Sequence, residues 1–212
     1  IQTFDKPAAG SWTEALGLGT GPVSFKDSYD EEFFEDEKEA VFRRNWLNIG
    51  HVNQLTRNGS YFVKELTFLK ASIVVIRGMD GVVRAFHNVC SHRGNKLVWD
   101  DNPALESSGI TRQIACKYHG WRFDTQGQIT YVHNAPEFFD LEADKLKIPE
   151  INCELWAGYV FINLMKQPTQ TLREFLGPDA VKLETYPFDK MPRQYTFESV
   201  IEANWKLFMD AF

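Results

Sequence analysis

Two short motifs, Cys90-Ser91-His92 and Cys116-Lys117-Tyr118-His119, constrain this chain more than any other feature of its sequence. Each motif follows an apolar segment that is typical of a strand, and each runs into a glycine, Gly94 in the first case and Gly120 in the second. Thiolate and imidazole are metal ligands, and glycine allows a positive φ and a close approach of backbone N–H groups. We therefore expect two glycine-containing loops that each offer one Cys and one His to a shared metal centre.

A set of two Cys and two His is chemically ambiguous by itself. Structural zinc sites use it, and a Rieske [2Fe–2S] cluster also uses it, with two Cys on one iron and two His on the other. Zinc modules with these ligands commonly place both Cys in one hairpin and both His on a helix. Here each loop supplies one ligand of each type, and this pairing favours the iron–sulfur cluster over zinc.

Short apolar segments separated by turn signals fill the middle of the chain. Residues 72–77 and 82–90 are two such segments, and the Gly78-Met79-Asp80-Gly81 between them is a hairpin signal. Four further segments are predicted to form strands: 110–116, 121–124, 128–132 and 157–164. Because hairpins pair antiparallel strands, we predict a mainly β, antiparallel domain over residues 46–165.

A helical pattern precedes this β region. Residues 1–27 are rich in Gly, Pro, Ser and Thr and are predicted to form an arm. Ser28 and Glu31 have the spacing of a capping box, which predicts a helix that begins at Ser28. Residues 1–45 are therefore interpreted as an N-terminal arm and helix.

The pattern changes again after the last predicted strand. Thr169 is predicted to cap a short helix that ends at Gly177-Pro178, and residues 194–201 alternate like a half-buried strand. Asn204 is predicted to cap a helix that begins at Trp205 and continues to the last residue. A chain that ends inside a helix, and that begins without Met, is expected to be a fragment.

Charge and cysteine content exclude several classes of protein. The formal net charge of −6 argues against a general nucleic-acid binder, which needs a basic surface. No run approaches the ~18 consecutive apolar residues of a membrane span, and the N-terminal segment lacks the features of a secretory signal. Two of the three cysteines lie in metal-ligand spacing, so a cytoplasmic location is expected, without nucleic-acid or membrane partners.

The two motifs and their flanks resemble one known family. Asn88-Val89-Cys90-Ser91-His92-Arg93-Gly94 and Cys116-Lys117-Tyr118-His119-Gly120-Trp121 closely resemble the cluster loops of Rieske non-haem iron ring-hydroxylating oxygenase large (alpha) subunits. A weaker resemblance runs from about residue 28 to residue 212, and Asn204-Trp205-Lys206-Leu207-Phe208 is similar to the opening of the family's catalytic helix. The resemblance implies one [2Fe–2S] cluster with four ligands: Cys90, His92, Cys116 and His119.

The resemblance also implies an architecture and a set of partners. Residues 46–165 would be a Rieske-type β domain, and residues 166–212 would begin a truncated α+β helix-grip catalytic domain. In this family an NADH-dependent reductase, sometimes with a ferredoxin, reduces the cluster, and the electron passes to a mononuclear Fe(II) that activates O₂. That transfer generally crosses to a neighbouring subunit of a homotrimer, where an Asp contacts the histidine that matches His119. Some members also carry a small beta subunit.

No catalytic residue is expected in these 212 residues, because the ligands of the family's catalytic iron should begin beyond Phe212. Asp210 occupies an earlier position and is not assigned as a ligand. The chain is interpreted as the electron-entry portion of an O₂-dependent mono- or dioxygenase in aromatic hydrocarbon catabolism, without catalytic competence of its own. Two alternatives stay open: a stand-alone Rieske-type electron-transfer protein and a zinc-binding module.

Two departures from related patterns are informative. Respiratory Rieske proteins carry an extra cysteine in each cluster loop, and the corresponding places here hold Asn95 and Tyr118. Cys153 stands alone and is interpreted as a small core residue. The 23 residues between the two motifs exceed the usual spacing in the resembled family. The excess is assigned to residues 100–109, which are predicted to form a polar surface loop.

Overall fold

The computed structural model describes residue 8 and residues 15–19, 21–102, 106–191 and 199–210. The chain divides into two compact units, one made of Ile1–Glu35 with Val200–Phe212 and the other of Asp36–Ser199. The described part of the second unit holds two antiparallel β-sheets, which confirms the mainly β, antiparallel fold. Among the described residues, no helix combines the length and the apolar character that a membrane crossing requires.

The larger sheet has seven strands in the order β1-β10-β9-β4-β3-β2-β5. Its strands are β1 (Leu47–His51), β2 (Ser60–Leu66), β3 (Ala71–Arg77), β4 (Val83–His87), β5 (Ser108–Ile110), β9 (Glu150–Trp156) and β10 (Tyr159–Asn163). The predicted hairpin is present. β3 and β4 pair antiparallel, with Ile73 opposite His87 and Arg77 opposite Val83. The first Cys–His motif therefore follows closely after the end of a central strand.

The smaller sheet has three strands in the order β6-β7-β8. They are β6 (Gln113–Ala115), β7 (Arg122–Asp124) and β8 (Ile129–Tyr131). The turn between β6 and β7 contains the second motif, and Ala115 pairs with Arg122 immediately before and after it. A short antiparallel hairpin therefore fixes both ends of the second loop.

Strands β3 and β4 separate two hydrophobic cores. Ile73 and Val75 face a core with Ala85, while Ile76 and Phe86 face a second core. Successive side chains of a strand point to opposite faces, so these central strands are apolar on both sides. The second core includes both cysteines of the motifs and the indole of Trp121.

The segment predicted as a polar surface loop is only partly a loop. β5 pairs with β2 and forms the edge of the sheet, and the Val63 N–H donates to the Ser107 carbonyl at 2.7 Å. Lys64 adds an ion pair with Glu106 at 2.8 Å. The predicted strand 110–116 is divided between β5 and β6. At the break, the Thr111 hydroxyl donates to the Gln113 carbonyl and accepts from the Gln113 N–H.

The N-terminal helix begins later than predicted. Helix α1 spans Glu31–Glu37, and a five-residue π-helical turn, Lys38–Phe42, follows it. The cap is Asp30, whose Oδ1 accepts hydrogen bonds from the N–H groups of Glu32 and Phe33 at 3.0 and 3.4 Å. The predicted cap Ser28 instead ends a 3₁₀ turn, so its assignment was wrong. A carboxylate caps better here because it accepts both of these N–H groups and lies at the positive end of the helix dipole.

Two C-terminal helices complete the described structure. Helix α2 (Leu172–Leu183) is capped by Thr171 in a capping box with Glu174, and not by Thr169 as predicted. A left-handed Gly177, with φ of 69°, interrupts α2 at the predicted end, and helical residues resume after it. Helix α3 (Trp205–Met209) begins at the predicted position, and Asn204 Oδ1 accepts from the Lys206 N–H at 3.0 Å. The predicted strand 194–201 lies mostly outside the described residues.

Candidate metal centre

The first motif forms a tight loop after β4. The Gly94 N–H donates to the Cys90 carbonyl at 2.9 Å, and the Cys90 N–H donates to the Asn95 carbonyl at 2.8 Å. Gly94 has a φ of 71°, which an L side chain rarely adopts. The backbone therefore closes on itself around the cysteine and requires glycine at this position.

The second motif repeats this arrangement after β6. The Gly120 N–H donates to the Cys116 carbonyl at 3.0 Å, and the Cys116 N–H donates to the Trp121 carbonyl at 2.8 Å. The φ of Gly120 is 74°. The two loops are therefore equivalent in backbone structure, although one is Cys-x-His and the other Cys-x-x-His.

The two thiols lie together on the buried side of the loops. Cys90 and Cys116 are almost fully buried, and their side chains lie within hydrogen-bonding reach of one another. Burial raises the pKa of the Cys90 thiol to about 11, and the neighbouring Cys116 thiol adds to this effect. The backbone N–H groups of His92 and Arg93 point to the Cys90 sulfur and favour its thiolate. A bound cation would supply the remaining stabilisation that deprotonation needs.

The two imidazoles lie together on the outer side of the loops. The rings of His92 and His119 have centroids 4.8 Å apart. The Trp121 indole stacks on His92 with a centroid distance of 4.5 Å, and Tyr118 packs against His119 at 3.8 Å. Burial, together with His119 and Arg93, lowers the pKa of His92 and favours the neutral imidazole that binds metals.

The donors are thus sorted by type, with a buried pair of sulfurs and a half-buried pair of imidazoles. A Rieske [2Fe–2S] cluster needs this sorting, because one iron takes two Cys and the other takes two His. A tetrahedral zinc site would instead bring three or four donors to one point. The donor set therefore fits the two-iron cluster.

A buried asparagine holds the first loop in place. Asn88 Nδ2 donates to the Val98 carbonyl at 2.7 Å and to Ser72 Oγ at 3.0 Å. Its Oδ1 accepts from the N–H groups of Leu97 and Val98 at 3.1 and 2.7 Å. All four bonds join the residue that precedes the loop to segments outside it. Sequence analysis assigned Asn88 no role of its own, although a polar residue inside a predicted apolar segment was a usable signal.

Three side chains outside the four candidate donors, His87, Lys96 and Cys153, have structural surroundings. His87 ends β4 half-buried, and burial together with Arg43 lowers its pKa. Lys96 forms an ion pair with Glu65 at 2.6 Å. Cys153 packs against the first core, and burial raises the pKa of its thiol to about 12.

Comparison with known proteins identifies the family of this centre. Residues 45–150 match the Rieske [2Fe-2S] domain family. The carnitine monooxygenase oxygenase subunit of Escherichia coli (strain K12) is 33% identical over 184 residues, which are 86% of this chain and 47% of that protein.

Solved structures show the same relationship. The quaternary ammonium Rieske monooxygenase CntA in complex with L-carnitine matches with a TM-score of 0.76 and 29% identity, over 85% of this chain and 49% of that chain. Naphthalene 1,2-dioxygenase with indole bound in its active site matches with a TM-score of 0.64 and 30% identity, over 74% of this chain and 34% of that chain.

The chain spans about half the length of the curated relatives it matches. Those relatives are oxidoreductases, and the carnitine monooxygenase among them is not named for an aromatic hydrocarbon, so the expected link to aromatic hydrocarbon catabolism is not supported. The chain belongs to the Rieske [2Fe-2S] domain family and is homologous to the N-terminal part of Rieske oxygenase alpha subunits.

Proposed function

We propose that this chain is the electron-entry portion of an O₂-dependent Rieske mono- or dioxygenase alpha subunit. Cys90 and Cys116 would bind one iron of a [2Fe–2S] cluster, and His92 and His119 would bind the other. When bound, this cluster supplies a site that accepts and releases one electron at a time. The single observation that carries the proposal is the sorting of the donors into a buried sulfur pair and an outer imidazole pair.

The surroundings of the four donors support this role. The buried thiols are shielded from water and from oxidants, which protects a thiolate that must stay a ligand. The imidazoles lie nearer to solvent, so a redox partner would approach the protein on the histidine side. The stacked Trp121 fixes the plane of the His92 ring.

The wider assignments belong to the same proposal. A reductase that uses NADH, a ferredoxin, or both would deliver the electron, and the subunit would assemble as a homotrimer. A mononuclear Fe(II) site would belong to the complete subunit. Residues 1–45 would form an arm and helix, 46–165 the Rieske domain, and 166–212 the beginning of the catalytic domain. Two cysteines would be cluster ligands and Cys153 packs against the first core, so a reducing cytoplasm is the proposed location.

An anaerobic reductive titration tests the proposal. The chain, reconstituted with iron and sulfide, should take up one electron per molecule, with loss of visible absorbance. Cys116→Ala should take up none, because no other group replaces the missing thiolate. Cys153→Ala is the matched control. It should take up one electron like the wild type, because Cys153 packs against the first core while Cys90 and Cys116 lie in the second.

Two results of the titration would refute the proposal. The first is a wild-type chain, reconstituted under the same conditions, that accepts no electron. The second is a Cys116→Ala chain with full uptake. A further check uses His119→Cys, which should lower the reduction potential, because thiolate replaces a neutral ligand.

A further inference from the structure

We propose that the Asn95 side chain is a positioning residue that sets the reduction potential of the centre through a hydrogen bond to the Cys116 sulfur. This inference rests on the proposed function, because it needs Cys116 to be a ligand. Asn95 belongs to the first loop and Cys116 to the second, so the bond also joins the two halves of the site. Neither the ligand spacing nor the family match assigns a role to Asn95.

The geometry places one amide nitrogen between two acceptors. Asn95 Nδ2 lies 2.7 Å from the Lys96 carbonyl oxygen and 3.8 Å from Cys116 Sγ. The main chain of the same residue also holds the loop, because its carbonyl accepts the Cys90 N–H at 2.8 Å. Asn95 is half-buried and Cys116 is almost fully buried, so solvent competes weakly for this bond.

The chemistry of the neighbours determines the orientation of the amide. A carboxamide has two N–H donors on nitrogen and only acceptor sites on oxygen. The Lys96 carbonyl is an acceptor, and a metal-bound Cys116 thiolate is also an acceptor. The reversed amide would direct its oxygen at two acceptors, so Nδ2 faces them, with one N–H available to each.

The bond has a direct consequence for electron affinity. Reduction adds negative charge to the centre and its sulfur ligands, and a donor to sulfur stabilises the reduced form more than the oxidised form. In a site with little water, this stabilisation is screened weakly. Removing the Asn95 donor should therefore make the centre harder to reduce.

Potentiometry on the reconstituted chain tests the inference. Asn95→Ala removes the donor, and the equilibrium constant for one-electron reduction should fall about fivefold, the effect expected for one typical hydrogen bond. Asn95→Asp keeps the shape but replaces the donor with a negative carboxylate, so its constant should fall further. Asn95→Gln keeps an amide donor and should recover part of the wild-type value. Asn58→Ala is the control. It removes a side-chain amide that donates a hydrogen bond to the Met79 carbonyl, outside both loops, and should leave the potential unchanged.

The readouts separate this inference from the function on which it rests. A wild-type chain without iron and sulfide would refute the proposed function. An intact cluster whose potential is the same in wild type, Asn95→Ala and Asn95→Asp would overturn only the role of Asn95. Loss of the cluster in every Asn95 variant, Gln included, would also overturn it, because the residue would then be structural and not a determinant of potential.

Discussion

The indole of Trp121 lies flat against the imidazole of His92, with centroids 4.5 Å apart and planes inclined by 9°. Trp121 also accepts the Cys116 N–H through its main-chain carbonyl, so one residue contacts a candidate ligand of each type. Its side chain is buried in the second core. Core packing and the geometry of the candidate centre are therefore coupled through this residue.

Replacing Trp121 tests its packing in the second core. Trp121→Ala should lower the free energy of unfolding by about 3–5 kcal/mol, because it leaves a large cavity in a close-packed core. Urea unfolding of the cluster-free chain would measure this change without contributions from metal. Phe139→Ala, at a side chain that is 95% exposed, is the control and should change stability by less than about 0.5 kcal/mol. Similar losses for both variants would contradict the packing described here.

Asn88 provides a second stability test. Asn88→Ala should cost about 2–4 kcal/mol, because it leaves the buried N–H of Leu97 and the N–H and carbonyl of Val98 without a partner. Asn48→Ala is the control. Asn48 lies exposed in β1, where its Oδ1 accepts a hydrogen bond from the Gly50 N–H, and its loss should lower the free energy of unfolding far less. Equal unfolding midpoints for the two variants would show that Asn88 does not hold the loop.

Gly127 supports the second core through its lack of a side chain. It has a φ of 80°, and a Cβ atom there would lie 2.6 Å from Phe86 Cε1. Gly127→Ala should therefore combine backbone strain with a steric clash and lower the free energy of unfolding by at least about 2 kcal/mol. Gly177→Ala isolates the strain, because Gly177 has a φ of 69° and no atom within 4 Å of the added Cβ. Thermal unfolding should rank Gly127→Ala as the less stable variant, and the opposite order would be inconsistent with this account.

Acid sensitivity should depend on Asp80. Its two carboxylate oxygens accept from Arg84 at 3.0 and 2.8 Å, and this interaction lowers the pKa of Asp80 from 3.8 to about 2. Because the folded pKa lies below the unfolded one, the ion pair stabilises the protein above pH 4, and the contribution is lost as the pH falls toward 2. Asp80→Asn should thus be less stable than wild type at pH 7 and close to it near pH 2. Unfolding free energies across this range, with Asp101→Asn as an exposed control, would measure the difference, and a constant difference between Asp80→Asn and wild type would contradict the prediction.

The sequence predicted those parts of the structure whose signals are local. The two Cys–His loops follow from residue types at fixed short spacing, and Asn204 caps α3 because an Asn directly before an apolar helix is a local signal. The predicted cap of α1 was wrong because Ser28 and Asp30 are both capping residue types that precede acidic residues. Only the observed bonds to Asp30 distinguish the two.

Long-range pairing was not predictable in this way. β5 is a strand because β2 offers it an unpaired edge, and its partners lie more than forty residues earlier in the chain. The roles of Asn88 and Asn95 likewise depend on contacts between separate segments. Periodicity and motif spacing carry no information on such contacts, because the partner is distant in sequence.

Cys90, His92, Cys116 and His119 should hold two irons and not one zinc. Iron, zinc and acid-labile sulfide in the anaerobically purified chain can be measured to distinguish the two. The wild-type chain should contain two irons and two labile sulfides, the content of a [2Fe–2S] cluster, and Cys116→Ala should contain neither. A colourless wild-type chain that contains one zinc and no labile sulfide would contradict this assignment.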